Sequence, residues 1–93
     1  MLILETFLTI PPHVTFSVVG EDAFLLNTRN SKYYLLQEVG TRLWDLLGAG
    51  QTLRMTYNSL LKEYEVAAPE LERDLLELVA DLVENGLLEY ATS

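Results

Sequence analysis

The stretch Lys32-Tyr33-Tyr34-Leu35-Leu36-Gln37-Glu38-Val39-Gly40-Thr41-Arg42-Leu43-Trp44-Asp45-Leu46-Leu47 changes its hydrophobic period half-way along. Tyr33 to Leu36 is a short aromatic and apolar run of the kind that packs in a strand. From Val39 the apolar residues fall at Val39, Leu43, Leu46 and Leu47, one face of a helix. The pattern predicts a strand that runs into a helix with almost no loop.

Upstream, residues 1–10 read as an extended, strand-like segment that Pro11-Pro12 stops, since neither proline donates to a sheet ladder. Val14, Phe16 and Val18 alternate with Thr15 and Ser17, the strand period. Gly20-Glu21-Asp22 and Arg29-Asn30-Ser31 are turn signals on either side of a strand at Phe24 to Asn27. Three runs this close predict a hairpin-linked antiparallel meander.

Downstream, Gly48-Ala49-Gly50 stops the first helix, which spans about Glu38 to Leu47. Thr52 is a good N-cap for a second, reaching about Tyr64, with Leu53, Tyr57, Leu60, Leu61 and Tyr64 on its apolar face. A third starts at Pro69, with Glu70 and Glu72 in the first turn where the helix end is positive. Leu71, Leu75, Leu78 and Leu82 form its stripe, and Asn85-Gly86 is a C-cap signal. Leu87 to Tyr90 form a short extended tail. The expected fold is therefore α+β: a winged helix-turn-helix, a three-stranded antiparallel sheet followed by three helices. The expected organisation is an N-terminal extended segment, residues 1–13, ahead of one domain at 14–93.

Bulk properties narrow the function. A chain of 93 residues is one domain, and at that size it buries roughly 60–65% of the surface its unfolded chain would expose. A net charge of −8 and a pI near 4.4 repel phosphates and anionic lipid and suit a basic or neutral peptide or protein. The absence of cysteine removes disulfides, thiolate catalysis and cysteine-based metal sites and fits the cytoplasm. The apolar N-terminus carries Glu5 and lacks a basic start, so neither a signal peptide nor a membrane anchor is expected.

Catalytic chemistry has little to work with. His13 stands alone behind two prolines and reads as a loop histidine, with no nucleophile–base pairing around it. Asp74, Glu77, Asp81 and Glu84 recur at helical spacing and read as a solvated face, since metal sites for hard cations draw on loops or several elements. No cofactor is implied. The third helix would enter a DNA groove in a winged-helix regulator, but it carries Glu70, Glu72, Asp74, Glu77, Asp81 and Glu84 against Arg73, which opposes nucleic-acid binding. Trp44 reads as core. Neighbours on a strand point to opposite faces, so Tyr34 and Leu36 are assigned to the core and Tyr33 to the surface or a partner. On the residues alone, structural and binding roles for the tyrosines stand equal.

The run Tyr33 to Trp44 resembles the PqqD family, with its paired aromatics, Leu-Asn, Val-Gly and Ile-Trp or Leu-Trp; Gln37 stands where Asn is usual. Tyr64-Glu65-Val66, Arg73-Asp74-Leu75 and Leu82-Val83-Glu84-Asn85-Gly86-Leu87-Leu88 continue the likeness, which covers about residues 14–90. Such domains are recognition elements of ribosomally made, modified peptides. The resemblance implies that a precursor leader peptide docks as an added strand on the third strand, beside the third helix, with no enzymatic activity in the domain itself. The residues it carries over are Tyr33, Tyr34, Leu35 and Leu36 on the strand and Asp74, Leu75, Leu78 and Asp81 on the helix; for Asp74 a helix-stabilising role is equally open. Pro11-Pro12-His13-Val14 ahead of the first strand is most similar to the stand-alone subunit of lasso-peptide systems, which delivers its precursor to a separate cysteine-type leader peptidase. The alternatives are a PqqD-type chaperone that presents a precursor to a radical enzyme in quinone cofactor biosynthesis, and a winged-helix DNA-binding regulator.

Overall fold

The period switch becomes a one-residue junction: strand β4 (Lys32–Gln37) ends, Glu38 intervenes, and helix α1 (Val39–Gly48) begins. The computed structural model describes residues 2–91. Ahead of β4 come β1 (Leu8–Thr9), β2 (Val14–Val19) and β3 (Asp22–Asn27); after α1 come α2 (Leu53–Glu63), α3 (Ala68–Glu84) and β5 (Glu89–Tyr90). β2, β3 and β4 form an antiparallel meander in that order. This is the expected three-stranded sheet followed by three helices.

The N-terminal segment departs from expectation. Only Leu8–Thr9 is strand, and it pairs with Glu89–Tyr90 rather than with the main sheet. Leu4 and Glu5 turn instead, with the Thr6 N–H donating to the Ile3 carbonyl at 2.9 Å. The turn drives Leu4 into the core, where it is 3% exposed. Burial of that side chain, worth about 1.5–3 kcal/mol, outweighs continued extension along an unpaired ladder.

Register sorts the sheet into two faces. Ala23 lies opposite Leu36 and Leu25 opposite Tyr34, facing the helices; Phe24 lies opposite Leu35 and Leu26 opposite Tyr33, facing outward. Leu25, Ala23 and Leu36 are buried with Leu43, Trp44, Leu60, Val79 and Leu82 in one core. Trp44 is fully buried, as the sequence predicts, and meets Phe16 edge to face at 5.5 Å.

Caps fix the helix boundaries. Thr52 Oγ1 accepts from the Met55 N–H at 3.1 Å, closing the first turn of α2. Asn85 caps α3, and Gly86 follows with φ +72°, a left-handed value that ends the helix. Asn27 Nδ2 donates to the Asn85 carbonyl at 3.0 Å, and His13 Nε2–H donates to the Gly86 carbonyl at 3.1 Å. His13 is thus a tie between the start of the sheet and the end of α3. Exposed ion pairs from Arg42 to Glu63 and from Arg54 to Glu5, both at 2.8 Å, link α1 to α2 and α2 to the N-terminal segment.

Candidate functional site

β4 is an edge of the sheet. Two hydrogen bonds fix the phase of its ladder. The Glu38 N–H donates to the Glu21 carbonyl at 2.8 Å, and on the other side of β3 the Thr28 N–H donates to the His13 carbonyl at 2.9 Å. Antiparallel pairs alternate between bonded and non-bonded, so Tyr34, Leu36 and Glu38 turn their backbone groups toward β3. Tyr33, Leu35 and Gln37 turn theirs to the open side. A row of unpaired N–H and C=O groups of this kind is a template for another strand.

The junction at Glu38 aims this edge. Its φ of +51° and ψ of −112° turn the chain sharply from strand to helix, and Thr41 Oγ1 donates back to the Leu36 carbonyl at 3.1 Å. The start of α1 is thereby laid across α3. The Cβ that Gly40 lacks would stand 3.4 Å from Leu78 Cδ2 and 3.5 Å from Leu36 Cδ2. Beside this close approach lies a groove of about 220 Å³ lined by Val39, Gly40 and Leu43 of α1, Val66, and Glu70, Leu71, Asp74, Leu75 and Leu78 of α3. Its floor is apolar and two carboxylates stand on its wall.

Each residue carried over by the resemblance can now be placed. Tyr33 is 79% exposed and Leu35 48% exposed, both on the outer face of β4. Tyr34 is half-buried and Leu36 buried, both on the helix face, the alternation expected from the sequence. Asp74, Leu75 and Leu78 line the groove. Leu75 is also core, at 3% exposure. Asp81 lies further along α3 and is exposed; burial first, and the Asp81 carboxylate second, push the Tyr34 phenol above its ordinary range. Asp74, Leu75 and Leu78 thus line the groove, whereas Tyr33, Tyr34, Leu35, Leu36 and Asp81 do not, and the strand approaches it through Leu36, which meets Leu78 at Gly40.

Val39, Gly40, Leu43, Val66, Glu70 and Leu71 belong to the groove too. The sequence puts Val39, Leu43 and Leu71 on helix faces, Glu70 in a first turn, and Val39-Gly40 and Val66 in the family likeness, but names none of them as peptide-binding. The Val39-Gly40 pair was the available signal, a glycine at a helix start where a larger side chain would meet Leu78 and Leu36.

The carboxylates Asp74, Glu77, Asp81 and Glu84 are exposed, and among the described residues no group of His, Asp and Glu is placed to hold a metal ion. Among the described residues no helix is long and apolar enough to cross a membrane.

Residues 22–88 match the sequence profile of the family described as coenzyme PQQ synthesis protein D (PqqD). The chain belongs to the PqqD family. No curated protein sequence matches it significantly. Among solved structures, TbiB1 in complex with the TbiA(beta) leader peptide is 30% identical, superposes with a TM-score of 0.84, and covers 90% of this chain and 98% of its own. Lasso peptide synthetase B1 complexed with the leader peptide is 27% identical with a TM-score of 0.79, covering 88% of this chain and 96% of its own. This PqqD-family chain thus shares most of its length with domains whose structures hold a leader peptide.

Proposed function

We propose that this chain binds the leader of a ribosomally made precursor peptide as a strand added to β4, and delivers it to a separate cysteine-type leader peptidase in lasso-peptide biosynthesis. One observation carries the reading: β4 has an open edge and leads through Glu38 into the start of α1, where Gly40 sits between Leu36 of the strand and the Leu78 wall of an apolar groove, in a fold shared with two leader-peptide complexes. Tyr33, Leu35 and Gln37 supply the backbone ladder, which gives affinity with little demand on sequence. Tyr34, Leu36, Leu75 and Leu78 receive the leader side chains that point inward, with Asp74 and Asp81 at the margin. The recognition domain is residues 14–93; residues 1–13 extend it.

In this reading the chain presents a substrate and does no chemistry, and it works in the cytoplasm with no nucleic-acid partner and no membrane insertion. The exposed carboxylates of α3 support the exclusion of DNA, because phosphate neutralisation needs cations there. The family description also supports a second reading, presentation of a precursor to a radical enzyme of quinone cofactor synthesis. The two share the binding step and differ only in the enzyme that follows.

The test uses the ladder's phase. Leu35→Pro removes an N–H that faces the open side, so the sheet persists while leader affinity, read by fluorescence polarisation, falls at least tenfold. Leu36→Pro removes a donor that faces β3 and unfolds the domain, read by circular dichroism. Leu78→Asp places a charge in the apolar groove and weakens binding with the fold intact. Unchanged affinity in folded Leu35→Pro and Leu78→Asp variants overturns the proposed cleft.

A further inference from the structure

Glu70, Asp74, Leu78 and Asp81 follow one another along α3 at spacings of four, four and three, so they form one stripe of the helix. Glu70, Asp74 and Leu78 line the groove, and Asp81 stands one turn beyond Leu78 on the same stripe. The cleft wall is therefore anionic at both ends and apolar between them. Asp81 has no cationic partner among the described residues, and Asp74 has only its neighbour Arg73, at 3.3 Å with both side chains 65% exposed. An ion pair that exposed opens readily when a better-placed cation arrives.

A strand added to β4 presents alternate side chains to this wall. A side chain level with Leu36 packs at Gly40 with Leu78, and the carboxylates one turn to either side, at Asp74 and Asp81, stand about 4.5–6 Å along the helix, near the roughly 6.5 Å between alternate side chains of a strand. We infer that the segment this edge selects carries a lysine or arginine two residues from a bulky apolar side chain, the cation answering the α3 carboxylates and the apolar group filling the groove. The inference rests on the strand-addition reading and adds a charge rule to it. Opposite charge steers encounter and rejects acidic segments, while the backbone ladder stays indifferent to both.

The probe is a phage-displayed library of random twelve-residue peptides panned on the intact chain. Binders from the wild type should be enriched in Lys or Arg two positions from an apolar residue. An Asp74→Asn/Asp81→Asn variant, checked by circular dichroism, should keep the apolar preference and lose the basic one. A selected peptide should bind that variant roughly five- to tenfold more weakly, and should lose affinity as salt rises and screens the pairs. Its Lys→Ser version should bind both proteins within about twofold. Binders that need an intact Leu35 edge but show no basic enrichment overturn the charge rule alone. Binders equally tight on Leu35→Pro, or no binders at all, overturn strand addition and the charge rule together.

Discussion

Asn27, the last residue of β3, donates its side-chain amide to the backbone carbonyl of Asn85, 58 residues later, at 3.0 Å. With the His13 bond to the Gly86 carbonyl, that contact holds the sheet against the end of α3, and so helps set where the Leu78–Asp81 wall stands relative to β4. The same amide nitrogen would lie 2.7 Å from a Cβ on Gly86. The glycine is required twice over, for its left-handed φ and for room.

Gly86→Ala should therefore destabilise the fold by about 2–3 kcal/mol, combining strain at positive φ with displacement of the Asn27 amide. Urea unfolding followed by circular dichroism measures it. In an Asn27→Ala background the same change should cost only about 1–2 kcal/mol, because the steric part is gone. Strict additivity of the two substitutions would show that the contact is not the cause.

Glu38 has φ +51° without being glycine. A side chain in that region costs about 1–3 kcal/mol, part of which glycine returns through its greater freedom in the unfolded chain. Glu38→Gly should raise the urea midpoint, by about 1 kcal/mol in stability. A lower midpoint would mean that the Glu38 side chain contributes more than its backbone strain costs.

Gly40→Leu should fill the groove from the α1 side, since only 3.4 Å separates the missing Cβ from Leu78. Leader affinity should drop by about tenfold or more, in keeping with loss of one buried apolar anchor. Gly40→Ala adds only near-contact atoms and should change affinity far less. Equal binding by all three proteins in fluorescence polarisation would place the leader elsewhere.

Tyr34 should be a late-ionising tyrosine. Burial, then the Asp81 charge, both disfavour its phenolate. A raised folded pKa means that its contribution to stability is complete below the ordinary tyrosine range and is lost as pH rises through the folded value. Tyr34→Phe should remove the last step of an ultraviolet tyrosine titration and flatten the alkaline loss of stability. Asp81→Asn should move that step toward lower pH without abolishing it. A step that ignores both substitutions belongs to another tyrosine.

Local physics made most of the fold legible. The switch at Gln37, the Thr52 cap, the Asn85-Gly86 stop and the alternation of Tyr33 and Tyr34 are all short-range signals, and the structure keeps each of them. What sequence periodicity could not supply was the partner of each segment. Leu8–Thr9 reads as strand, yet nothing near it says that Glu89–Tyr90 is the other half. The cleft shares this character. Its strand and helix residues could be named, but the groove exists because α1 starts across α3 at Gly40 and Leu78. That crossing depends on the turn at Glu38, and a glutamate gives no warning of a left-handed φ.

Leu8 stands opposite Tyr90 in the small β1–β5 ladder, where paired Cα atoms lie roughly 4.5–5.5 Å apart. In topological terms residues 8–90 are a closed loop with a narrow neck. A surface loop of a host enzyme can carry residues 8–90 as an insert through that neck, with a linker that keeps Leu4 in its core place. The neck is in a different sheet from β4, so a graft made there leaves the β4 edge facing outward. If the β4 edge takes a leader as proposed, the fold is thereby suited to serve as a transplantable adaptor, joining a new catalytic body to a peptide tag without redesign of that edge.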